Sequence, residues 1–228
     1  MEKLQLTFPP MRAALPRWSP SGNEIAFTGI QKGKTSKIFV VPTQGGVPRE
    51  LLSESLGEVD ASWSSDGKRV AFGRIESISD VVTPSIEVLD MQSGQSSPVP
   101  NSEGLFSPNW SPDGRFLAAL STDSKTLMLF DWQTGKWSEW LKEPYPVSFP
   151  RWASDSKSVV FDAVYPDPSF RRIRIGETKS ELFVETKDLK IFRGVWGAWT
   201  GIAPDGNPLL VRDISSEEIY ALELQNPL

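Results

Sequence analysis

An all-β fold built from a repeated sheet is predicted by three observations. A tryptophan followed by a polar turn returns five times, at Trp18, Trp63, Trp110, Trp152 and Trp199, with spacings of 45, 47, 42 and 47 residues. Behind each tryptophan comes the same succession of short apolar runs, separated by turns rich in Gly, Asp, Ser and Pro. No segment shows sustained helical periodicity. Four short strands per period of this length describe the blade of a β-propeller. The 228 residues are therefore expected to form one domain, residues 1–228, of about five four-stranded blades starting near the five tryptophans. A β-sandwich, the rival all-β arrangement, does not require a tryptophan at this period.

Each element follows from its residues. Strand A of a blade ends on the marker tryptophan. Pro16, Pro108 and Pro150 sit two residues before three of the markers. Proline has no N–H to give a ladder and is confined to sheet edges or strand starts, which assigns strand A to the inner edge facing the central channel. The next turn reads Trp18-Ser-Pro-Ser-Gly22, Trp63-Ser-Ser-Asp-Gly67, Trp110-Ser-Pro-Asp-Gly114 and Trp152-Ala-Ser-Asp-Ser156, with a looser fifth copy, Trp199-Thr-Gly-Ile-Ala-Pro-Asp-Gly206. Strand B is expected over residues 24–27, 69–72, 116–120, 158–161 and 208–211, and strand C over 37–41, 85–89, 126–130, 172–175 and 218–222. A last strand D follows in four copies, for example residues 49–52 and 138–141. The fifth copy reaches the chain end without one, while residues 4–8 alternate apolar and polar side chains ahead of the first strand A. Pairing 4–8 with 218–222 closes the ring and removes unpaired edges. The alternative is a fragment of a larger propeller.

The repeat Pro-x-Trp-Ser-Pro-Asp-Gly-x-x-x-Ala-Phe, continued by an Ile-Phe-Val strand and a Gly-Gly turn, resembles the TolB-like propeller repeat, a relative of the WD repeat. Trp110-Ser-Pro-Asp-Gly114 carries the resemblance most specifically, and Trp152-Ala-Ser-Asp-Ser156 departs from it. The segments Phe192-Arg-Gly194, Trp199 to Gly206, Leu209-Leu-Val-Arg-Asp213 and Glu218-Ile-Tyr-Ala-Leu222 resemble the closing blade of propellers that follow a winged-helix DNA-binding or kinase domain in bacterial regulators. The resemblance implies a sensor or scaffold module that binds a partner or ligand and is not itself catalytic.

Composition narrows the chemistry. The chain has no Cys and no His. That excludes disulfides, thiolate or imidazole metal sites, and Ser-His-Asp or Cys-His catalysis. With a formal net charge of −5, wholesale binding to nucleic acid or an anionic membrane is not expected. Residues 1–7 lack the apolar region of a signal peptide, and no run approaches eighteen apolar residues. A soluble monomer without cofactor or metal is expected, cytoplasmic by default, or periplasmic if a longer precursor carries a signal or anchor. Acid–base chemistry from Asp and Glu alone, as in a glycoside hydrolase or lyase, is the alternative to a binding module.

Trp18, Trp63, Trp110, Trp152 and Trp199 are expected to pack between blades. Asp66, Asp113, Asp155 and Asp205 recur once per period, which makes them turn residues and not a convergent cluster. Arg171, Arg172 and Arg174 form the only dense basic run, read as a solvated strand face, with a phosphate or acidic-partner site as the sharper possibility. Trp132, Trp137 and Trp140 either seal the third blade or form an exposed patch. The A–B and C–D turns are short. The connections on the other face are longer, chiefly residues 74–84, 162–169 and 188–196, and long connections carry function. Arg74, Tyr145, Phe149, Tyr165, Phe170, Arg193 and Trp196 lie in or beside them and are the candidate contacts for a protein or small-molecule ligand.

Overall fold

A computed structural model describes residues 4–53, 56–75, 83–192, 200–203 and 205–215. The described chain contains strands and turns and no helix. The first blade comprises β1 (Arg12–Trp18), β2 (Glu24–Ile30), β3 (Lys37–Pro42) and β4 (Arg49–Glu50). The second comprises β5 (Gly57–Trp63), β6 (Arg69–Ile75), β7 (Ser85–Asp90) and β8 (Ser96–Pro98). In the third are β9 (Leu105–Trp110), β10 (Phe116–Ser121), β11 (Thr126–Asp131) and β12 (Lys136–Lys142). In the fourth are β13 (Val147–Trp152), β14 (Ser158–Ala163), β15 (Ser169–Arg174) and β16 (Glu181–Glu185). Each sheet is an antiparallel meander in sequence order, strands A to D. A fifth pair, β17 (Thr200–Ile202) and β18 (Pro208–Leu210), stands where strands A and B of another blade belong. Thus four blades, not five, are complete among the described residues. Residues 4–8 form no strand, and residues 218–222, their expected partner in closing the ring, lie outside the described residues.

Strand A is broken in the same way in all four blades. Leu15, Asp60, Ser107 and Phe149, each three residues before its marker, have positive φ of 51–54°. The ladder to strand B shifts register at this point in every blade. This is a β-bulge, whose extra residue is left out of the ladder. Pro16, Pro108 and Pro150 directly follow the bulged residue, so the missing N–H falls where pairing is already interrupted.

Successive blades bury complementary faces. Ala26, Ile38 and Val40 of the first blade share one apolar cluster with Ala61, Trp63, Val70 and Phe72 of the second. Ala71, Ile86 and Val88 share the next with Trp110, Leu117, Ala119 and Phe130. Ala118, Leu120, Leu127 and Trp140 share the third with Trp152, Val159 and Phe161. Each buried marker tryptophan thus packs on the blade before it. The indole N–H of Trp63 donates to the Arg17 carbonyl at 3.2 Å, and that of Trp152 to the Asn109 carbonyl at 2.9 Å.

Trp18 departs from the expectation that all the markers are core. It is 63% exposed, against 9%, 5% and 7% for Trp63, Trp110 and Trp152. No described blade precedes it. The matching face of the first blade, Phe27, Phe39 and Val41, is packed instead by Leu6 and Met11 from the N-terminal segment. Trp199 lies outside the described residues. Trp132, Trp137 and Trp140 seal the blade and form no exposed patch. Trp132 stacks on Trp110 with centroids 5.0 Å apart, Trp140 stacks on Trp152 at 5.5 Å, and the Trp137 indole N–H donates to the Pro100 carbonyl.

The recurrent aspartates hold turns. Ser64 Oγ donates to Asp66 Oδ1 at 2.6 Å, the Lys68 N–H donates to the same oxygen, and the Arg69 N–H returns to Ser64 Oγ. Ser111 and Asp113 repeat this arrangement, as do Ser121 and Asp123 between β10 and β11. Asp155 and Asp205 receive a backbone N–H two residues on.

Two outcomes are expected. Trp110→Ala and Trp152→Ala lower unfolding stability in urea by about 3–5 kcal/mol each, the cost of emptying a packed site. Trp18→Ala stays within about 1 kcal/mol. Secondly, serine hydroxyls and backbone N–H groups hold the carboxyls of Asp66 and Asp123 below the ordinary carboxylate range. A depressed folded-state value stabilises above the unfolded value, and that contribution is lost as pH falls through the folded one. The urea midpoint of wild type should therefore fall more steeply below about pH 4 than that of Asp66→Asn/Asp123→Asn.

Candidate binding face and central channel

The bulge in strand A fixes which polar side chains meet across the inner strands. The residue before each marker is Arg17, Ser62, Asn109 or Arg151. The first three reach the next blade. Arg17 Nη2 donates to Asp60 Oδ1 at 2.8 Å, Ser62 Oγ accepts the Trp110 N–H at 2.8 Å, and Asn109 Oδ1 accepts the Trp152 N–H at 3.3 Å. Asp60 also accepts Ser107 Oγ from the third blade at 2.5 Å, while its own N–H donates to Thr28 Oγ1 of the first. One aspartate in a bulge therefore ties three blades together.

A second buried network lies between the first two blades. Glu58, on β5 and fully buried, faces Arg74 across the β5–β6 ladder. Its Oε1 accepts Lys37 Nζ of the first blade at 2.7 Å and Arg74 Nη1 at 3.4 Å, and its Oε2 accepts the Ile38 N–H at 3.1 Å. Arg74 also engages Glu87, with Nε–Oε1 and Nη2–Oε2 both at 2.9 Å. Burial pushes the Glu58 carboxyl above its ordinary value, against the opposing pull of Lys37 and Arg74. Arg74, expected at a ligand surface, is thus a buried cross-strand partner and not a free arm. No repeat signal marks Glu58 or Lys37, because each occurs in one blade only.

The long-loop face of the fourth blade brings two of the expected contacts together. Tyr145 lies between β12 and β13, and Tyr165 between β14 and β15. Their rings sit 6.1 Å apart at 39°, and they are 46% and 64% exposed. Beside them is a groove of about 230 Å³ lined by Tyr165, Pro166, Pro168, Arg171, Leu182 and Lys187. Its cations are satisfied locally. Arg171 donates to the Ser180 hydroxyl and carbonyl, Ser180 Oγ donates in turn to Glu143, and Lys187 pairs with Glu185 at 3.0 Å. Farther along β15, Arg172 and Arg174 both pair with Glu181 of β16, at 2.6 and 2.7 Å. The basic run, expected as a solvated strand face, is instead paired with carboxylates, Arg172 and Arg174 with Glu181 and Arg171 with Glu143.

The remaining candidates are placed differently. Phe170 is buried in the sheet, where its β15 position pairs with Asp162 and Val184. Phe149 is buried at the bulge of β13, because the positive φ turns it inward from the loop it follows. Neither is a surface contact. Arg193 and Trp196 lie outside the described residues. A shallower groove of about 300 Å³ lies at the short-turn end among Arg17, Trp18, Pro20, Ser62 and Trp63. No group of three or more Asp or Glu placed to hold a metal ion occurs among the described residues.

Removing the Glu58 charge should be more damaging than its single position suggests. Glu58→Ala leaves Lys37 and Arg74 buried without their shared anion, and a loss of about 3–5 kcal/mol is expected. Glu24→Ala, which breaks the exposed pair with Arg49, should cost less than about 1 kcal/mol. Urea unfolding of the two variants checks the difference.

No family model matches the chain. It is 36% identical over 73 residues to an uncharacterized peptidase, YuxL, of Bacillus subtilis, covering 30% of this chain and 11% of that protein. It is 26% identical over 183 residues to an uncharacterized protein of Agrobacterium fabrum, covering 76% and 54%. The chain thus spans about half or less of the length of these curated relatives. Among solved structures it superposes on TolB from Acinetobacter baumannii with TM-score 0.68 at 16% identity, covering 91% of this chain and 56% of that one. A protein of Agrobacterium tumefaciens described as a TolB gives TM-score 0.68 at 22%, covering 92% and 77%. Oligogalacturonate lyase in complex with manganese gives 0.61 at 11%, covering 92% and 67%. A prolyl endopeptidase gives 0.55 at 19%, covering 86% and 32%. These likenesses establish the fold, a TolB-like β-propeller.

Proposed function

We propose that this chain is a non-catalytic binding or scaffold propeller whose partner-facing surface is the long-loop face of the fourth blade, with Tyr145 and Tyr165 as its anchors. The exposed tyrosine pair beside a groove carries the reading. Tyrosine contributes large, stiff contact area with a polar tip, and such residues dominate binding energy where they cluster. The cations of the groove are neutralised by neighbouring carboxylates, Glu143 and Glu185, so the surface selects by shape and aromatic contact more than by charge. Seven of the described carboxylates have structural work of this kind, Asp66, Asp113, Asp123, Asp155 and Asp205 in turns and Glu58 and Asp60 against cations, which supports a binding module.

The second reading is a carboxylate-based hydrolase or lyase, favoured by the fold shared with oligogalacturonate lyase and prolyl endopeptidases. The chain spans only 32% of the endopeptidase and 11% of the B. subtilis peptidase, so their activities are not carried over to it.

The test is a partner that copurifies with the wild-type chain, is identified, and is then titrated in pure form. Tyr145→Ala/Tyr165→Ala is expected to weaken its binding by about tenfold or more, about 1.4 kcal/mol, with the unfolding midpoint unchanged. Unaltered affinity in the double variant would move the surface elsewhere. Turnover by the chain alone that is abolished by a single Asp or Glu substitution would favour the enzyme.

A further inference from the structure

The charges around the exposed tyrosine pair do not balance. Arg171, Lys187, Asp167 and Glu185 line the groove beside Tyr165. Both cations are already engaged. Arg171 Nε lies 3.7 Å from Glu143 Oε1, and Lys187 Nζ lies 3.0 Å from Glu185 Oε2. Asp167 is the charge left over. It is exposed, stands two residues after Tyr165, and its carboxylate makes no ion pair or hydrogen bond among the described residues. Its place is nonetheless set by the chain. Its carbonyl accepts Ser169 Oγ at 3.0 Å, and Pro166 and Pro168 narrow the backbone on either side. The Lys187 ammonium is held above its ordinary value first by Glu185 and to a lesser degree by Asp167. Two carboxylates thus act on one ammonium, and this wall of the groove carries negative charge in excess.

Aromatic faces beside a surplus carboxylate select a cation. A guanidinium or ammonium is drawn to a tyrosine face within about 6 Å of the ring centroid. The apolar stem that carries it covers aromatic surface while the charge stays at the rim. An anionic ligand would meet Asp167 with no uncommitted cation to offset it. The same blade already holds the arrangement in miniature. The Arg172 guanidinium lies 4.8 Å from the Phe183 ring centroid while pairing with Glu181 at 2.6 Å.

We propose that the tyrosine face, on the reading that it is the binding surface, takes a lysine or arginine side chain from an extended segment of a protein partner. The stem lies on the Tyr145 and Tyr165 rings and the charge meets Asp167. The tyrosines supply contact area, and Asp167 supplies the preference for a basic partner.

The chain has three tyrosines, Tyr145, Tyr165 and Tyr220, so incorporated fluorotyrosine gives a simple fluorine NMR spectrum. Tyr145→Phe and Tyr165→Phe assign its signals. The full chain is titrated with acetylated, amidated Gly-Ser peptides carrying one central arginine or one central lysine. The peptide with citrulline, which keeps the shape of arginine without its charge, is the control. The expected result is a saturable shift of the Tyr145 and Tyr165 signals with a cationic peptide, and binding about tenfold or more weaker with citrulline. Asp167→Asn should weaken the cationic peptide by about fivefold or more, with the urea midpoint unchanged. No shift with either cationic peptide overturns the proposal. An equal shift with citrulline, or an unweakened Asp167→Asn, also overturns it, but leaves the tyrosine face standing as a surface without charge preference. A copurified partner that is lost in Tyr145→Ala/Tyr165→Ala and kept in Asp167→Asn draws the same distinction.

Discussion

Each described interface between blades turns on the marker indole pressed against the sheet before it. That contact requires a small residue opposite, and strand B supplies Ala26, Ala71 and Ala118 on the face that receives the next blade. A larger side chain there would hold the sheets apart, while a smaller one opposite would leave a void against a close-packed interior. The same strand B sends its larger residues, Phe72, Leu117 and Phe161, to the opposite face. Alternation along one strand therefore makes each blade both a receiving and an inserting surface. Stability in such an array is carried by contacts between nearest neighbours.

The bulge in strand A is the second constraint, and it governs the chemistry. By leaving one residue out of the ladder in each blade, it lets side chains of the innermost strand turn toward the neighbouring blade instead of standing on a sheet face. Asp60 uses this freedom to gather Arg17 and Ser107, while Ser62 and Asn109 use it to bond the following tryptophan backbone. The inner strands therefore carry polar links between blades in a fold whose interfaces are otherwise apolar.

The fold was legible because repetition multiplies a weak signal. A lone Trp-Ser-Pro-Asp-Gly stretch marks a turn; several at a period of 42–47 residues mark blades. The turn role of Asp66 and Asp113 could be read in the same way. What stayed hidden were side chains that break the repeat. Arg74 reads as a loop residue at the start of a long connection, and only the pairing of β5 with β6 shows that it lies opposite Glu58. Phe170 reads as a loop aromatic and proves to be a strand residue, because β15 begins one residue before it. Tyr145 and Tyr165 were legible as candidates by type and loop position, but their meeting was not, since twenty residues and two strands separate them. Trp18 shows the same limit from the other side. A residue identical in sequence context to its repeats differs in burial, because burial depends on what stands before it.

That exposure gives the protein an optical asymmetry. Among the described tryptophans Trp18 is the most open to water, while Trp63, Trp110 and Trp152 are enclosed. Its emission belongs at the red edge of the spectrum and within reach of a collisional quencher, where the enclosed indoles are protected. Whatever comes to lie against the Trp18 indole, from the same chain or another, would shift that component to the blue and shield it. A natural side chain thus reports on its own surroundings without any added label.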